Sequence, residues 1–227
     1  HQLCLMTGPL YFIYKILHVI KLSEELKAQF PEQNFVPVYW MASEDHDFEE
    51  IKSFLLFGQK WSWESTQKGA VGRFDNSELL PLLTELKTKF QNNPEAEIHR
   101  LLHCFEAKAY GAGFFEMVHS LFDAYGLLII DADQLQLKQS AWPIWEKDLQ
   151  TTAIHEAVCK ETEKLKKEHQ PTPIESKESN LFLLGKEKRE RIEKSGALDF
   201  QKEDSEQLSP NVVLRPLYQE WILPNLA

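Results

Sequence analysis

The chain has 227 residues, 43% of them hydrophobic and 26% charged, a globular composition that excludes a disordered or fibrous protein. Its net charge of −10 provides no broad basic face, so we expect no nucleic-acid partner. Three cysteines, far apart in the sequence, form no disulfide framework and fit a reducing cytoplasm. Apolar runs of about 18 residues are absent, so we expect neither a membrane span nor a signal peptide.

The first part of the chain predicts a long helix followed by short strands. Apolar residues at helical spacing indicate a helix over 10–30, with Pro9 suited to its first position. A β-branched and aromatic run over 35–41 indicates a strand, and Ser43 is the expected N-cap of a helix that follows it. A further strand over 53–57 should begin a hairpin.

The middle of the chain predicts more helices and a buried strand. Helical patterns over 77–91 and 95–109 flank an Asn-Asn-Pro stop signal. A helix over 114–125, then a glycine and an apolar run over 127–130, form the αβ unit typical of a parallel sheet. We therefore expect an α/β fold.

The last third predicts helices around an exposed strand pair. A helix is expected over 141–168, and strands over 181–184 and 188–193. A short strand over 212–214 should lead into a final helix that begins at Arg215-Pro216 and ends at Pro224.

Ligands of open parallel sheets bind beyond the carboxyl ends of strands, where loops 43–47, 131–133 and 215–219 are expected. In the first loop, Glu44-Asp45-His46-Asp47 places three carboxylates and an imidazole within one turn, enough to orient a proton shuttle or hold a cation. The helix dipole favours such acids even without a function, but it does not explain the histidine. We therefore favour a functional site over simple capping.

A second candidate is the loop before the first helix. Thr7-Gly8-Pro9 could present backbone N–H groups and the positive end of a helix to a phosphate or carboxylate, or could be an ordinary helix start. His1, Gln2 and Lys15 could reach the same anion.

Other chemical residues form weaker patterns. Arg215 could clamp a carboxylate or phosphate, or form a surface ion pair. His99 and His103 have the i, i+4 spacing of metal ligands but lack the glutamate of the metalloprotease motif, so we assign no metal. The cysteines are expected to be buried apolar residues rather than nucleophiles.

Five motifs occur in order across nearly the whole chain, at 2–3, 7–15, 36–50, 69–72 and 208–219. Together they resemble the bacillithiol biosynthesis cysteine-adding enzymes, the BshC family. The long motifs, such as Ser-Glu-Asp-His-Asp-Phe-Glu-Glu and Ser-Pro-Asn-Val-Val-Leu-Arg-Pro-Leu-Tyr-Gln, make the resemblance specific.

The resemblance implies a Rossmann-like parallel sheet core with helical and hairpin connecting insertions. On this basis we expect 1–150 to form the core with an inserted segment at about 59–110, 151–207 to add a helix and a charged hairpin, and 208–227 to return to the core. Family members extend beyond both ends of this chain and form homodimers through a coiled coil. The start at His1 instead of Met leads us to expect a fragment of such a protein.

The resemblance also implies a reaction. The enzyme would join cysteine to the amine of glucosaminyl-malate in the cytoplasm and form an amide. A carboxyl group needs activation for this step, so ATP is the expected co-substrate, Mg²⁺ could accompany it, and no tightly bound cofactor is implied.

Site roles follow from the same resemblance. Amine binding and proton transfer fall on Glu44, Asp45, His46 and Asp47. Nucleotide, phosphate or carboxylate binding falls on His1, Gln2, Thr7, Gly8, Pro9 and Lys15. Asn211, Arg215, Tyr218 and Gln219 are expected to form a third wall of the binding pocket. The guanidinium group of Arg215 suits the malate or cysteine carboxylates.

Two other functions stay open from the residues alone. The acids could hold Mg²⁺ in a nucleotidyl or phosphoryl transfer enzyme. The chain could also be a non-catalytic domain that binds a ligand or a partner.

Overall fold

The computed structural model describes residues 2–93, 97–106, 109–172, 174–185 and 189–226, apart from the side chain of residue 198. The chain divides into two compact units, His1–Ala132 and Asp133–Ala227. Within the described residues, no helix combines the length and the apolar character needed to cross a membrane. The domains predicted over 1–150, 151–207 and 208–227 stay predictions.

The first unit alternates helices with short strands. Its elements are α1 (Tyr11–Gln29), β1 (Val38–Met41), α2 (Phe48–Ile51), β2 (Ser53–Leu56), β3 (Gln59–Ser62), α3 (Leu80–Lys89), α4 (Glu97–Cys104), α5 (Tyr110–Phe122) and β4 (Leu128–Asp131).

Strands β1 and β4 form a parallel pair that sets the position of the candidate site. The register runs from Val38 opposite Leu128 to Met41 opposite Asp131. Beyond the strands, the Ala132 N–H donates to the Met41 carbonyl at 2.9 Å. Because the strands are parallel, the loops that follow them leave from the same edge. The predicted α/β fold with a parallel sheet is confirmed.

Aromatic side chains form the core around this pair. Phe12 of α1 meets Tyr39 of β1 edge-on at 5.5 Å between ring centroids, and it meets Phe114 of α5 at 5.8 Å. All three are buried. Burying each such side chain stabilises the fold by about 1.5–3 kcal/mol, so α1 and α5 are held against β1 mainly by apolar contact.

Two local expectations near this core are wrong. The helix predicted over 10–30 is α1, but Leu10 is its N-cap and Pro9 lies before it. Ser43 caps no helix, because its hydroxyl is bonded elsewhere and Asp47 precedes the short helix α2. The predicted hairpin is present as antiparallel β2 and β3, with Phe54 opposite Trp61.

The second unit packs helices with a small antiparallel sheet in the order β6-β5-β7. Its elements are α6 (Leu135–Ser140), α7 (Trp142–Gln150), α8 (Ala153–Lys167), β5 (Leu181–Leu184), β6 (Arg189–Arg191), β7 (Leu208–Pro210) and α9 (Arg215–Leu226).

Three predictions in this unit need correction. The helix expected over 141–168 is two helices, because Thr151 is extended between α7 and α8. The strand expected over 212–214 is a turn, and the strand lies earlier, at β7. Pro224 lies inside the last turn of α9, and the helix continues to Leu226 although the proline provides no N–H for the carbonyl four residues before it, so the helix does not end at Pro224.

Candidate functional site

Residues 43–47, here called the acidic loop, connect β1 to α2 at the carboxyl edge of the parallel pair. The hydroxyl of Ser43 donates to the Asp131 carboxylate at the end of β4. This bond joins the ends of the two strands, where the sequence predicted the loops 43–47 and 131–133.

His46 lies between two carboxylates. Its ring Nδ1 is 3.4 Å from Asp45 Oδ1 and 3.5 Å from Asp47 Oδ1, and its backbone N–H donates to Asp45 Oδ1 at 2.8 Å. Asp45 is buried, whereas His46 and Asp47 are about half exposed. The cluster thus places a ring nitrogen, which can act as a general base, beside two carboxylates.

The same three residues could hold a metal ion. Each offers one ligand atom, and these atoms lie within 4.8 Å of one another. Mg²⁺ prefers an all-oxygen, octahedral shell, whereas imidazole suits transition metals. The donor set of Asp45, His46 and Asp47 therefore fits Mg²⁺ poorly.

Glu44 differs from its neighbours because its side chain is fully buried. Of the four predicted catalytic residues, Asp45, His46 and Asp47 therefore lie at or near the surface, whereas the carboxyl group of Glu44 lies inside the fold. Glu44 cannot contact a bound molecule directly in this arrangement.

The acidic loop is held from behind by the segment 69–72. The Val71 N–H donates to the Asp45 carbonyl at 2.7 Å, and the Gly72 N–H donates to the Ser43 carbonyl at 2.8 Å. A Cβ on Gly72 would lie 2.5 Å from the Ser43 Cβ, and one on Gly111 of α5 would lie 2.7 Å from the Gly72 oxygen. The sequence contains a signal for Gly72, which ends the Gly-Ala-Val-Gly motif at 69–72, but none for Gly111, and neither glycine was predicted to have a role.

Residues 2–9, the N-terminal loop, lie against β1, α2 and α5. Gln2 Nε2 donates to Glu50 Oε2 of α2 at 2.5 Å, so the loop reaches the helix that follows the acidic loop. The Tyr39 hydroxyl donates to the Gln2 carbonyl at 3.2 Å, and the Tyr110 hydroxyl donates to the Leu3 carbonyl at 2.8 Å. Burial raises the pKa of both tyrosines well above the ordinary value.

At the end of the N-terminal loop, two backbone N–H groups form hydrogen bonds within the loop itself. The N–H groups of Thr7 and Gly8 donate to the Cys4 and Leu5 carbonyls at 3.0 and 3.1 Å, so an anion at Gly8-Pro9 would need other donors. The Lys15 ammonium lies over the Tyr11 ring, 4.7 Å from its centroid. His1 lies outside the described residues.

The residues of the predicted third wall lie in the second unit. Asn211 is buried, and its Oδ1 accepts from the Val213 and Leu214 N–H groups at 2.9 and 3.1 Å, ahead of α9. Tyr218 is fully buried and packs against Trp145 at 5.0 Å between ring centroids. Asn211 and Tyr218 therefore support the fold.

Arg215 and Gln219 are half-buried on the first turns of α9. Both lie on the part of the helix nearest its N-terminus, which follows Asn211 in the sequence. The ligand-binding role of this group stays a prediction.

The remaining histidine and cysteine expectations have mixed outcomes. His99 Nε2 lies within 3.2 Å of the Phe90 and Asn93 carbonyls, and His103 pairs with Glu106 at 2.8 Å, so each ring has its own partners. The expectation of buried cysteines holds for Cys4, Cys104 is half-buried, and Cys159 is exposed. For Cys159 the expectation is wrong.

Comparison with known proteins finds relatives over the whole chain. The family model described as "Bacillithiol biosynthesis BshC, N-terminal Rossmann-like domain" matches residues 1–227. A protein of Flavobacterium psychrophilum named "Putative cysteine ligase BshC" is 40% identical, with 100% of this chain and 46% of the relative covered. Proteins of the same name from Cytophaga hutchinsonii and Chlorobaculum tepidum are 40% and 31% identical, with 100% of this chain and 45% and 46% of each relative covered.

The chain thus spans less than half the length of these relatives. The match extends over every segment that carries the acidic loop, the N-terminal loop and α9. The chain belongs to the bacillithiol biosynthesis BshC family and corresponds to its N-terminal Rossmann-like domain.

Proposed function

We propose that the protein containing this chain joins the carboxyl group of cysteine to the amine of glucosaminyl-malate and so forms an amide in bacillithiol biosynthesis. Family membership over the whole chain and the relatives' name, cysteine ligase, support this activity. The single structural observation that carries it is the Asp45-His46-Asp47 cluster at the carboxyl edge of the parallel pair.

The chemistry requires an activated acyl group, because a carboxylate is a poor acyl donor. In our proposal the cysteine carboxylate attacks the α-phosphorus of ATP, and pyrophosphate leaves. The sugar amine then attacks the carbonyl carbon of the adenylate. A C–N bond forms, the C–O bond to AMP breaks, and the amine loses a proton.

His46 is the proposed acceptor of that proton. A positioned base contributes about 10²- to 10⁴-fold to the rate of such a step. Asp45, buried beside the ring, would orient it. The half-exposed Asp47 would hold the substrate ammonium group before it is deprotonated.

The other predicted residues complete the proposal. Gln2, with the N-terminal loop and Lys15, would face the nucleotide or an acidic group of the substrate. Arg215 and Gln219 would bind a carboxylate, whereas Asn211 and Tyr218 would keep α9 in place for them. The full-length protein would act as a cytoplasmic homodimer.

Nothing in the cluster favours Mg²⁺-dependent phosphoryl transfer, since its central donor is an imidazole. His46 therefore accepts a proton in our proposal, and the cluster does not bind Mg²⁺. A chelator experiment therefore tests the nucleotide step and not the role of His46. Full activity in excess chelator would mean that the nucleotide step needs no free Mg²⁺.

The test uses the full-length protein with cysteine, glucosaminyl-malate and ATP, and mass spectrometry measures the amide product. We expect His46→Ala and Asp45→Asn to lower turnover by about 100-fold or more. His103→Ala is the matched control, because this exposed histidine lies on α4 and pairs only with Glu106 among the contacts described above. Undiminished turnover in His46→Ala would remove the proposed role of His46, and absence of product from the unaltered protein would overturn the activity.

A further inference from the structure

A thiol, an imidazole and a hydroxyl meet in the second unit. Cys159 and His155 lie one turn apart on α8, and the Cys159 sulfur is 3.6 Å from His155 Nε2 and 3.7 Å from Nδ1. His155 Nδ1 is 2.8 Å from the hydroxyl oxygen of Ser176. Cys159 is exposed, His155 is half-buried and Ser176 is buried, so a nucleophile reaches solvent while its partners are held inside.

A buried polar network holds the backbone next to Ser176. Asn180 Oδ1 accepts from the Lys177 N–H at 3.2 Å, and Asn180 Nδ2 donates to the Lys177 carbonyl at 2.9 Å, which fixes the residue next to Ser176. Asn180 is itself anchored to the Asp148 carboxylate of α7 through its N–H at 2.6 Å and its Nδ2 at 3.0 Å. The network therefore fixes the backbone beside Ser176, whose hydroxyl contacts the His155 ring.

This arrangement suits the chemistry of an activated thiol. The thiolate is the reactive form of cysteine, and a neighbouring imidazole can accept its proton as it forms. A third group that orients the base completes the pattern of nucleophile, base and orienting partner. Cys104 provides a contrast, because its sulfur donates to the Arg100 carbonyl at 3.4 Å and burial raises its pKa.

We propose that Cys159 is a modification site that reacts with low-molecular-weight disulfides. The sulfur of Cys159 attacks one sulfur of the disulfide RSSR, a new S–S bond joins Cys159 to RS, and the other RS⁻ leaves. His155 accepts the proton of the Cys159 thiol and passes it to the departing thiolate. Cys159 is oxidised, the leaving half of the disulfide is reduced, and no further reactant is needed.

This inference is independent of the proposed ligase activity. It requires only the α8 cluster, and its test measures a covalent product on the protein rather than turnover. Failure of either proposal would leave the other unchanged.

The experiment exposes the full-length protein to cystine, and peptide mass spectrometry follows the mixed disulfide at each cysteine with time. We expect Cys159 to react about tenfold faster than Cys104 and His155→Ala to lower the Cys159 rate about tenfold, because the thiol loses its base. Ser176→Ala should lower it less, since the ring remains but loses its orienting partner. Urea unfolding of each variant checks that the second unit stays folded.

The matched control moves the thiol along the helix. In Cys159→Ser/Lys160→Cys, an exposed thiol lies on α8 without the 155 ring behind it. We expect it to react at the slower rate of His155→Ala. If this thiol reacts as fast as Cys159, or if His155→Ala leaves the Cys159 rate unchanged, exposure alone explains the reactivity and the proposal is wrong.

Discussion

At the residue scale, the backbone of Gly72 lies so close to the acidic loop that any side chain there would collide with it. A Cβ would fall 2.5 Å from the Ser43 Cβ and 2.8 Å from the Ser43 oxygen. A Cβ on Gly111 would lie 2.7 Å from the Gly72 oxygen, so α5 packs closely against the same segment. The acidic loop therefore depends on a glycine for its position, although that glycine carries no chemical group.

We predict that Gly72→Ala destabilises the protein by about 1–3 kcal/mol, the usual cost of forcing an extra carbon into a packed region. The displaced loop would also shift His46 and lower the proposed ligase turnover. Urea unfolding and the amide assay measure the two effects. Gly196→Ala is the matched control, since no atom lies within 4 Å of a Cβ at that position. Equal stability of the two variants would contradict the close-packing account.

At the element scale, one side chain sets the start of α9. Asn211 accepts two N–H bonds ahead of the helix and donates from Nδ2 to Asn180 Oδ1 at 3.1 Å. Its backbone also bonds to Asn180, with the N–H donating to the Asn180 carbonyl at 2.9 Å. The strand β7 and the helix α9 are thus joined to the Asp148 and Asn180 network through this residue.

We expect Asn211→Ala to lower the free energy of unfolding by about 2 kcal/mol, because the turn that leads into α9 loses two hydrogen bonds and a buried amide contact disappears. The midpoint of urea unfolding measures this change. Asn225→Ala, an exposed position in the last turn of the same helix, should change stability by less than about 0.5 kcal/mol. An unchanged midpoint in Asn211→Ala would show that these bonds do not support α9.

Helices and strands whose apolar residues follow a regular pattern could be predicted from the sequence. Local features that depend on contacts between residues distant in sequence could not. The apolar spacing of α1 and the apolar runs of β1 and β4 were sufficient to place these elements and the edge where the acidic loop lies. Ser43 has the residue type of an N-cap, but its hydroxyl bonds to Asp131 on another strand, which no local pattern contains.

The same reasoning explains two other differences in the second unit. Apolar residues continue through 141–168, so the pattern hides the break at Thr151 between α7 and α8. Val212 and Val213 favour a strand by residue type, but the Asn211 side chain takes the backbone donors of residues 213 and 214 and turns the chain instead. The i, i+4 spacing of His155 and Cys159 is present in the sequence, but Ser176, which contacts the His155 ring, is distant in sequence, so spacing alone could not predict the complete cluster.

At the scale of the whole molecule, buried tyrosine hydroxyls and a buried thiol make the free energy of unfolding decrease at alkaline pH. Burial raises the pKa of Tyr39 and Tyr110 well above the ordinary value, and it also raises that of the Cys4 thiol. In the unfolded chain these groups lose their protons above about pH 8.5 for cysteine and about pH 10 for tyrosine. The folded state keeps them, so their contribution is fully present below those values and is lost as the pH rises past them.

We therefore predict that the free energy of unfolding falls above about pH 10 by about 1.4 kcal/mol per pH unit for each buried tyrosine. Tyr110→Phe should be less stable near pH 7 by about 1 kcal/mol, because the bond to the Leu3 carbonyl is lost. Its stability should nevertheless fall less steeply above pH 10, because one titrating hydroxyl is gone. Urea unfolding at a series of pH values measures both effects. Tyr14→Phe is the control, because the Tyr14 side chain is 64% exposed. A slope in Tyr110→Phe as steep as in the unaltered protein would show that another group governs the alkaline transition.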